Sequence, residues 1–258
     1  MRISSLWIYP VKGLRGHRVE RAQVTRRGLL GDRRFMVVDA GGAFVSQRKH
    51  PGLVRVLARL EGARVVLEKG DEQLVLAAEP TGPKLRVSVW ASELAAVEVE
   101  DGSAWLSRAL AMDVRLVWMT DDMHRPVTSS YGALEDEVSF ADAFPYLLAS
   151  DASLDDLNRR LAAPMTMERF RPNLVVEGAA PWAEDGVREL RVGDVTFAAR
   201  KPCGRCVVTT VDPDTAATGE EPMATLATFR TVEGKVNFGV NLAPLRGGEV
   251  RVGDAVLV

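Results

Sequence analysis

Alternation is the feature that most constrains this chain. RISSLWIYP (from Arg2), RRFMVVDA (from Arg33), ARVVLEK (from Ala63), KLRVSVW (from Lys84) and AAVEVED (from Ala95) all follow the period-two, β-branched grammar of strands. Successive side chains of a strand face opposite ways, so such runs read as half-buried strands, here bounded by Gly, Pro and Asp turns. Helical spacing is scarce. Gly102 to Ala111 predicts a helix capped by Ser103, and Ser153 to Ala163 predicts one capped by Ser153 with Asp156 three residues on. Glu221 to Arg230 predicts a third, with Pro222 at a first helical position. RVGDVTF (from Arg191) and RVGDAVLV (from Arg251) share a form that reads as two tight hairpins and suggests a β-barrel in that half. The polar stretch Thr120 to Glu137 has few periodic apolar residues and is the best linker. The expectation is a mainly β protein with a few helices (α+β), divided into residues 1–125 and 126–258.

Charge excludes some functions. Thirty-three Lys and Arg against 35 Asp and Glu leave a net charge of −2, which argues against non-specific nucleic-acid binding. No apolar run reaches the ~20 residues that span a bilayer. The start MRISSLWIYPVKG breaks at Pro10 and lacks a secretory apolar core, so the expectation is a cytoplasmic protein with reduced thiols.

The two cysteines sit together in KPCGRCVVTTVDPDT, as Cys203 and Cys206. Four readings are open. A structural zinc site needs four ligands, yet the histidines (His17, His50 and His124) lie in the other half at no metal-ligand spacing. A thioredoxin-type pair wants the motif to open a helix in a βαβ unit, whereas VVTTV after Cys206 reads as strand. Two inert, buried thiols are the bland alternative. The fourth is a single thiolate on a metal whose cofactor brings the remaining ligands, and residue grammar alone does not rank it.

The same stretch resembles the signature of MOSC-domain molybdenum enzymes, the family of the mitochondrial amidoxime-reducing component and its bacterial relatives. LWIYPVKGLRG (Leu6 to Gly16) resembles the opening of the MOSC N-terminal β-barrel domain. GDRRFMVVD (Gly31 to Asp39), SQRKHP (Ser46 to Pro51), SLDDLN (Ser153 to Asn158), FRPNLVVEG (Phe170 to Gly178) and VGDVTF follow in the family's order, so the likeness spans nearly the whole chain. It implies an N-terminal MOSC β-barrel-like domain packed on a C-terminal MOSC β-barrel domain, with the cofactor site between them. It also implies a molybdenum cofactor of the sulfite-oxidase kind, in which the pterin dithiolene gives two sulfurs and one cysteine a third. By the family's pattern that cysteine is Cys206, a soft thiolate suited to the metal, while Cys203 has no assigned metal role.

Lys12, Arg33 and Arg171 map to cofactor-contacting positions of the family, and both arginines suit phosphate. Asn173 in FRPN joins them, although a residue after Pro172 also reads as a turn. Gly13 stands where relatives commonly carry Ser, so a hydroxyl contact is lost there and a backbone N–H is left. In FADAFP, where relatives read Asp-Thr-Ser, Asp142 is retained while Ala143 and Phe144 are not. Arg48 is a weaker candidate. Cys206 and Asp214 are the catalytic candidates, Asp214 (or Asp212) as a proton donor, although an Asp-Pro-Asp turn needs no catalysis to explain it.

The implied reaction is two-electron reduction of an N-oxygenated substrate (an amidoxime, hydroxylamine or N-hydroxylated base) to the amine or amidine and water. An iron–sulfur cluster takes up to four cysteines, so none is expected here. Electrons are expected from a separate flavin-reductase, ferredoxin or cytochrome-type partner. The rival reading is a carrier or sulfur-transfer module, because MOSC domains also end the molybdenum cofactor sulfurases.

Overall fold

A computed structural model describes residues 1–258. Four sheets dominate it. The largest runs, in spatial order, through Val256–Leu257, Glu189–Val192, Val195–Gly204, Lys235–Arg246, Tyr146–Ser150, Leu174–Glu177, Arg2–Ile8 and His17–Val19. A second joins Lys84–Val89, Ser92–Glu98, Val114–Trp118, Phe35–Asp39 and Val11–Lys12. Two three-stranded sheets complete the set, Leu57–Glu61/Arg64–Lys69/Glu72–Ala77 and Gly248–Arg251/Arg21–Thr25/Gly28–Leu29. The mainly β expectation holds, but the hydrogen-bonding orders are open paths and close no barrel.

Alternation shows in Arg21–Thr25, where Ala22 and Val24 are buried and Arg21 and Gln23 exposed. The central strands are apolar on both faces instead: every residue of Tyr146–Ser150 is buried. That strand pairs parallel with Leu174–Glu177, and the helix Asp151–Asn158 lies in the crossover between them, as a parallel pair requires.

The halves exchange strands. Arg2–Ile8 leaves the N-terminal segment to pair with Leu174–Glu177, and Gly248–Arg251 pairs back with Arg21–Thr25. One apolar core accordingly mixes Leu6, Val24 and Leu29 with Leu148, Phe197 and Val240. Another, built on Phe35, Leu67, Trp105 and Leu116, belongs to the N-terminal segment. No helix or strand forms from Met119 to Pro145, which contains the expected linker.

Several local expectations are corrected. The first helix spans Glu100–Leu110 and is preceded by Val99, not capped by Ser103. The Ser103 hydroxyl is instead buried, donating to the Val99 carbonyl (3.0 Å) and accepting the Leu116 N–H (2.9 Å). Ser153 lies inside Asp151–Asn158, where its hydroxyl donates to Glu184 (2.8 Å). The third helix, Met223–Ala227, follows Pro222 but is only five residues long. Glu189–Val192 and Val195–Gly204 do form a tight hairpin. The Arg251 to Val258 stretch does not: Gly248–Arg251 and Val256–Leu257 pair with different strands, because the turn between them is stitched to Ile3 by two backbone bonds of 2.9 and 2.8 Å.

Gly16 packs beneath Tyr9. A Cβ there would come within 2.5 Å of the Ile8 carbonyl oxygen and closer still to the Tyr9 ring. Gly16→Ala is therefore expected to destabilise the fold by about 1–3 kcal/mol, as overpacking does. A fall in the thermal unfolding midpoint of roughly 2–4 °C per kcal/mol would register it; an unchanged midpoint would contradict the packing argument.

Candidate functional site

A buried aromatic platform underlies the main cleft of the molecule. Asp32 is buried, accepts the Tyr9 backbone N–H at 2.8 Å and pairs with Arg33 at 2.5 Å. Arg33 and Arg171 both adopt left-handed backbone conformations (φ 50 and 54), which non-glycine residues seldom do and which cluster at functional sites. Each is held there by its own N–H, Arg33 to the Tyr9 carbonyl (2.8 Å) and Arg171 to that of Glu168 (3.1 Å). Both guanidinium groups lie over the Tyr9 ring, at 4.7 and 4.3 Å from its centroid, where the π-face attracts cations. Burial, and then the neighbouring Arg33 charge, lower Arg171 to about 10. Two half-buried like charges side by side, only one of them paired with Asp32, favour an anion between them. Arg171 donates to the Leu14 carbonyl (2.7 Å) with one of its N–H groups.

These arginines open onto the cleft, whose volume is about 360 Å³. Its wall carries Lys12, Arg33, Arg48, Arg171, Lys201, Arg205 and Lys235, with Asp142 as the one carboxylate. Segments from both sides of residue 125 build it, since Lys12, Gly13 and Arg33 meet Asp142, Arg171, Asn173, Cys203 and Cys206 on one lining.

Lys12 is buried, ion-pairs with Asp142 and sits 4.6 Å from the Phe44 ring centre. Burial lowers its ammonium to about 8 despite the opposing pull of Asp142. Burial pushes the Asp142 carboxyl up, and Lys12 and the Trp90 indole N–H (2.9 Å) more than reverse that. The Asp142 side chain is 61 % exposed, into the cleft, so solvent screens part of the pull. Gly13 has φ +87, a conformation in which a serine would be strained, and its carbonyl accepts from Gln47 at 2.6 Å.

A lysine lowered from 10.5 to about 8 is charged below pH 8 and neutral above it in the folded protein. Binding of an anion to the cleft is therefore expected to weaken as pH rises through about 8. Sulfate, whose charge is constant over this range, is the suitable probe by calorimetry. Its affinity should fall about tenfold from pH 7 to 9.5, and Lys12→Met should flatten the profile. A flat profile in the unmodified protein would remove Lys12 from the anion site.

Cys203 is the penultimate residue of the strand Val195–Gly204, and Cys206 immediately precedes the 3-10 turn Val207–Thr210. The expected VVTTV strand is thus a single helical turn, closed by the Cys206 carbonyl accepting from Thr209 N–H and hydroxyl, both at 3.0 Å. No βαβ unit follows it. Arg205, between the cysteines, donates to Cys203 Sγ at 3.0 Å and to the Phe170 carbonyl at 2.7 Å, while its Nε is buried without an acceptor. No three His, Cys, Asp or Glu side chains gather as a metal-ligand set. A metal at Cys206 would have to arrive with most of its ligands.

Asn173 is buried and spent internally. Its Nδ2 donates to the Trp7 carbonyl (3.2 Å), and its Oδ1 accepts from Leu147 N–H (3.3 Å) and Arg33 (3.4 Å), so it steadies Arg33 rather than ending a turn. Asp214 is the exception among the sequence candidates. It does not line the cleft; its side chain is 75 % exposed and pairs with Arg15 at 2.7 Å. Asp212 pairs with Arg169 at 2.6 Å and accepts the N–H groups of Asp214 and Thr215, as a turn residue does. Sequence reasoning passed over Arg205, Lys201 and Trp90. Arg205 had a signal, its place between two thiols; Trp90, at φ 54, had none.

The family model of the MOSC domain matches residues 135–257, and that of the MOSC N-terminal beta barrel domain matches residues 1–113. Mitochondrial amidoxime-reducing component 1 of Mus musculus is 35 % identical over 98 % of this chain and 81 % of its own. The Homo sapiens protein of that name is 32 % identical over 98 % and 82 %. The molybdenum cofactor sulfurase of Oryza sativa subsp. japonica is 31 % identical over 94 % of this chain but 32 % of its own length.

Proposed function

The chain belongs to the MOSC-domain family, alongside the amidoxime-reducing components, and from that premise we propose that it is a molybdenum-cofactor-dependent reductase of N-oxygenated compounds. Amidoximes, hydroxylamines or N-hydroxylated bases would take two electrons and two protons, giving the amidine or amine and water. The observation that carries this reading is the meeting of Lys12, Arg33 and Arg171 with Cys206 on one strongly cationic cleft.

The donor set suits a phosphate-bearing, sulfite-oxidase-type pterin cofactor. The cations outnumber Asp142, and the buried Arg205 Nε lacks an acceptor. When bound, the group supplies a metal that accepts and returns two electrons. The protein's share is binding and orientation. Arg33, braced on Tyr9 and Asn173, and Arg171, braced on Tyr9 and the Leu14 carbonyl, would grip the phosphate or pterin with charge-assisted bonds. Lys12, held by Asp142, adds a further cation, the Gly13 backbone could approach without a side chain in the way, and Cys206 would give the soft thiolate. Residues 1–125 and 126–258 would then act as two lips of one site, fed by a separate electron-donor protein.

Metal analysis and amidoxime turnover, on protein from a host that makes the cofactor, test this together. Near-stoichiometric molybdenum with reductase activity is expected; stoichiometric zinc would overturn it. The similarity to a molybdenum cofactor sulfurase supports a second reading, a carrier or sulfur-transfer module. Bound molybdenum without turnover under a strong chemical reductant would favour that one.

A further inference from the structure

We propose that Arg15 and Arg169 are positioning residues that fix the Cys206 turn against the cationic floor of the cleft; this rests on the reading of Cys206 as the metal's thiolate. The turn Val207–Thr210 leaves Cys206 half-buried at its start, so its far end must be anchored elsewhere. Arg169 does this from the neighbouring 3-10 turn Met167–Phe170. Its Nη1 donates to the Thr210 carbonyl at 3.1 Å and its Nη2 to Asp212 at 2.6 Å. Arg15 makes the second grip, donating to Asp214 at 2.7 Å while both Glu168 oxygens accept from it, at 2.6 and 2.9 Å. A two-pronged guanidinium–carboxylate pair fixes direction as well as distance.

The brace is the same piece of chain that presents Arg171. Arg169 directly, and Glu168 through Arg15, hold the cysteine turn, Glu168's carbonyl sets the Arg171 backbone, and Leu14, next to Arg15, accepts from the Arg171 side chain. The network also adjoins the cleft, because Gln47, Arg171 and Val208 line both the cleft and the small recess that Arg15, Glu168 and Arg169 share. The thiol and the floor arginine are thus registered through one scaffold. The carboxylates of the Asp-Pro-Asp turn are the handles by which the cysteine turn is held.

Full-length protein from a host lacking the cofactor allows the test to be read without turnover. Alkylation by iodoacetamide, followed site by site by mass spectrometry, should be at least about fivefold faster at Cys206 in Arg169→Ala and Arg15→Ala than in the unmodified protein, because a loosened turn opens locally. The rate at Cys203, held by Arg205, should not change. Arg169→Lys, which keeps a charge but one prong, should fall between. Unfolding midpoints close to the unmodified protein's would separate this from general destabilisation, and cofactor-loaded variants should hold less molybdenum. Unchanged Cys206 alkylation in both alanine variants would overturn the proposal, as would equal acceleration at both cysteines. The underlying reading fails by a different result, full molybdenum content in Cys206→Ser, which leaves the alkylation outcome standing.

Discussion

Cys206→Ser is expected to give a folded protein with little bound molybdenum and reductase activity down by at least ~100-fold, since a hydroxyl is a poor substitute for a soft thiolate on such a metal. Folding should survive because the side chain is half-buried and donates no hydrogen bond that the fold uses; the backbone carbonyl, not the sulfur, closes the turn with Thr209. The unfolding free energy should stay within about 1 kcal/mol of the unmodified value, as for most substitutions away from a core or network. Cys203→Ser is the matched control. Its sulfur accepts an N–H from Arg205 at 3.0 Å, a role that a serine hydroxyl also fills, so metal content should be near normal and activity reduced by no more than about tenfold, the lower end of effects from groups behind a metal ligand. Molybdenum by mass spectrometry and turnover under a chemical reductant measure both. Unmodified metal content and activity in Cys206→Ser would end the ligand assignment, and the reverse ranking of the two variants would transfer it to Cys203.

The reach of the sequence differs from one element to another for physical reasons. The strand Lys84–Val89 was legible because alternation is a local consequence of half-burial, whereas Arg64–Lys69, with Val65, Val66 and Leu67 all buried, was legible from its β-branched run. Ser103 and Ser153 misled because a helix-capping residue and a buried serine look alike in sequence; what separates them is a partner far along the chain, Leu116 N–H for one and Glu184 for the other. Val207–Val211 misled because a β-branched run is locally strand-like, while the grips of Arg169 on Thr210 and Asp212 fold it into a turn. The parallel pairing around Asp151–Asn158 and the exchange of Arg2–Ile8 into the larger sheet are long-range choices that no window reports. The site shows the same division. Lys12, Arg33, Arg171 and Cys206 were found through family motifs, and they line one cleft. Tyr9, lying beneath both arginines, read only as part of a strand, since a platform is defined by what stacks on it.

The other large effect concerns electrons. On the proposed function, the protein is expected to reduce an amidoxime with a reduced viologen dye, and to show less than about a hundredth of that rate with NADPH as sole donor, since taking hydride or relaying electrons calls for a nucleotide site or a cluster. No Gly-x-Gly-x-x-Gly fingerprint follows a strand in the sequence, and its cysteines are Cys203 and Cys206 alone, too few for a four-cysteine cluster. On that reading a docking protein would approach the cleft closely. The thiol side is accessible: Cys203 and Cys206 are half-buried, and the flanking Gly204 and Val207 are exposed. Arg48, Lys49 and Lys235 are exposed at or beside the same mouth, which suits a donor with an acidic face. Redox encounters of this kind use small interfaces, under ~1,200 Å², and lean on charge for their rate. Exposed charges are screened over about 10 Å at 0.1 M salt and about 3 Å at 1 M. Turnover supported by an acidic electron-transfer protein should therefore fall steeply between low and high ionic strength, while the viologen rate changes little. Charge reversal at Lys49 and Lys235 should reproduce the high-salt rate at low salt. Robust turnover with NADPH alone would reveal a nicotinamide site in the chain and overturn the partner requirement; salt-independent turnover with the protein donor would remove the cationic mouth from the docking surface.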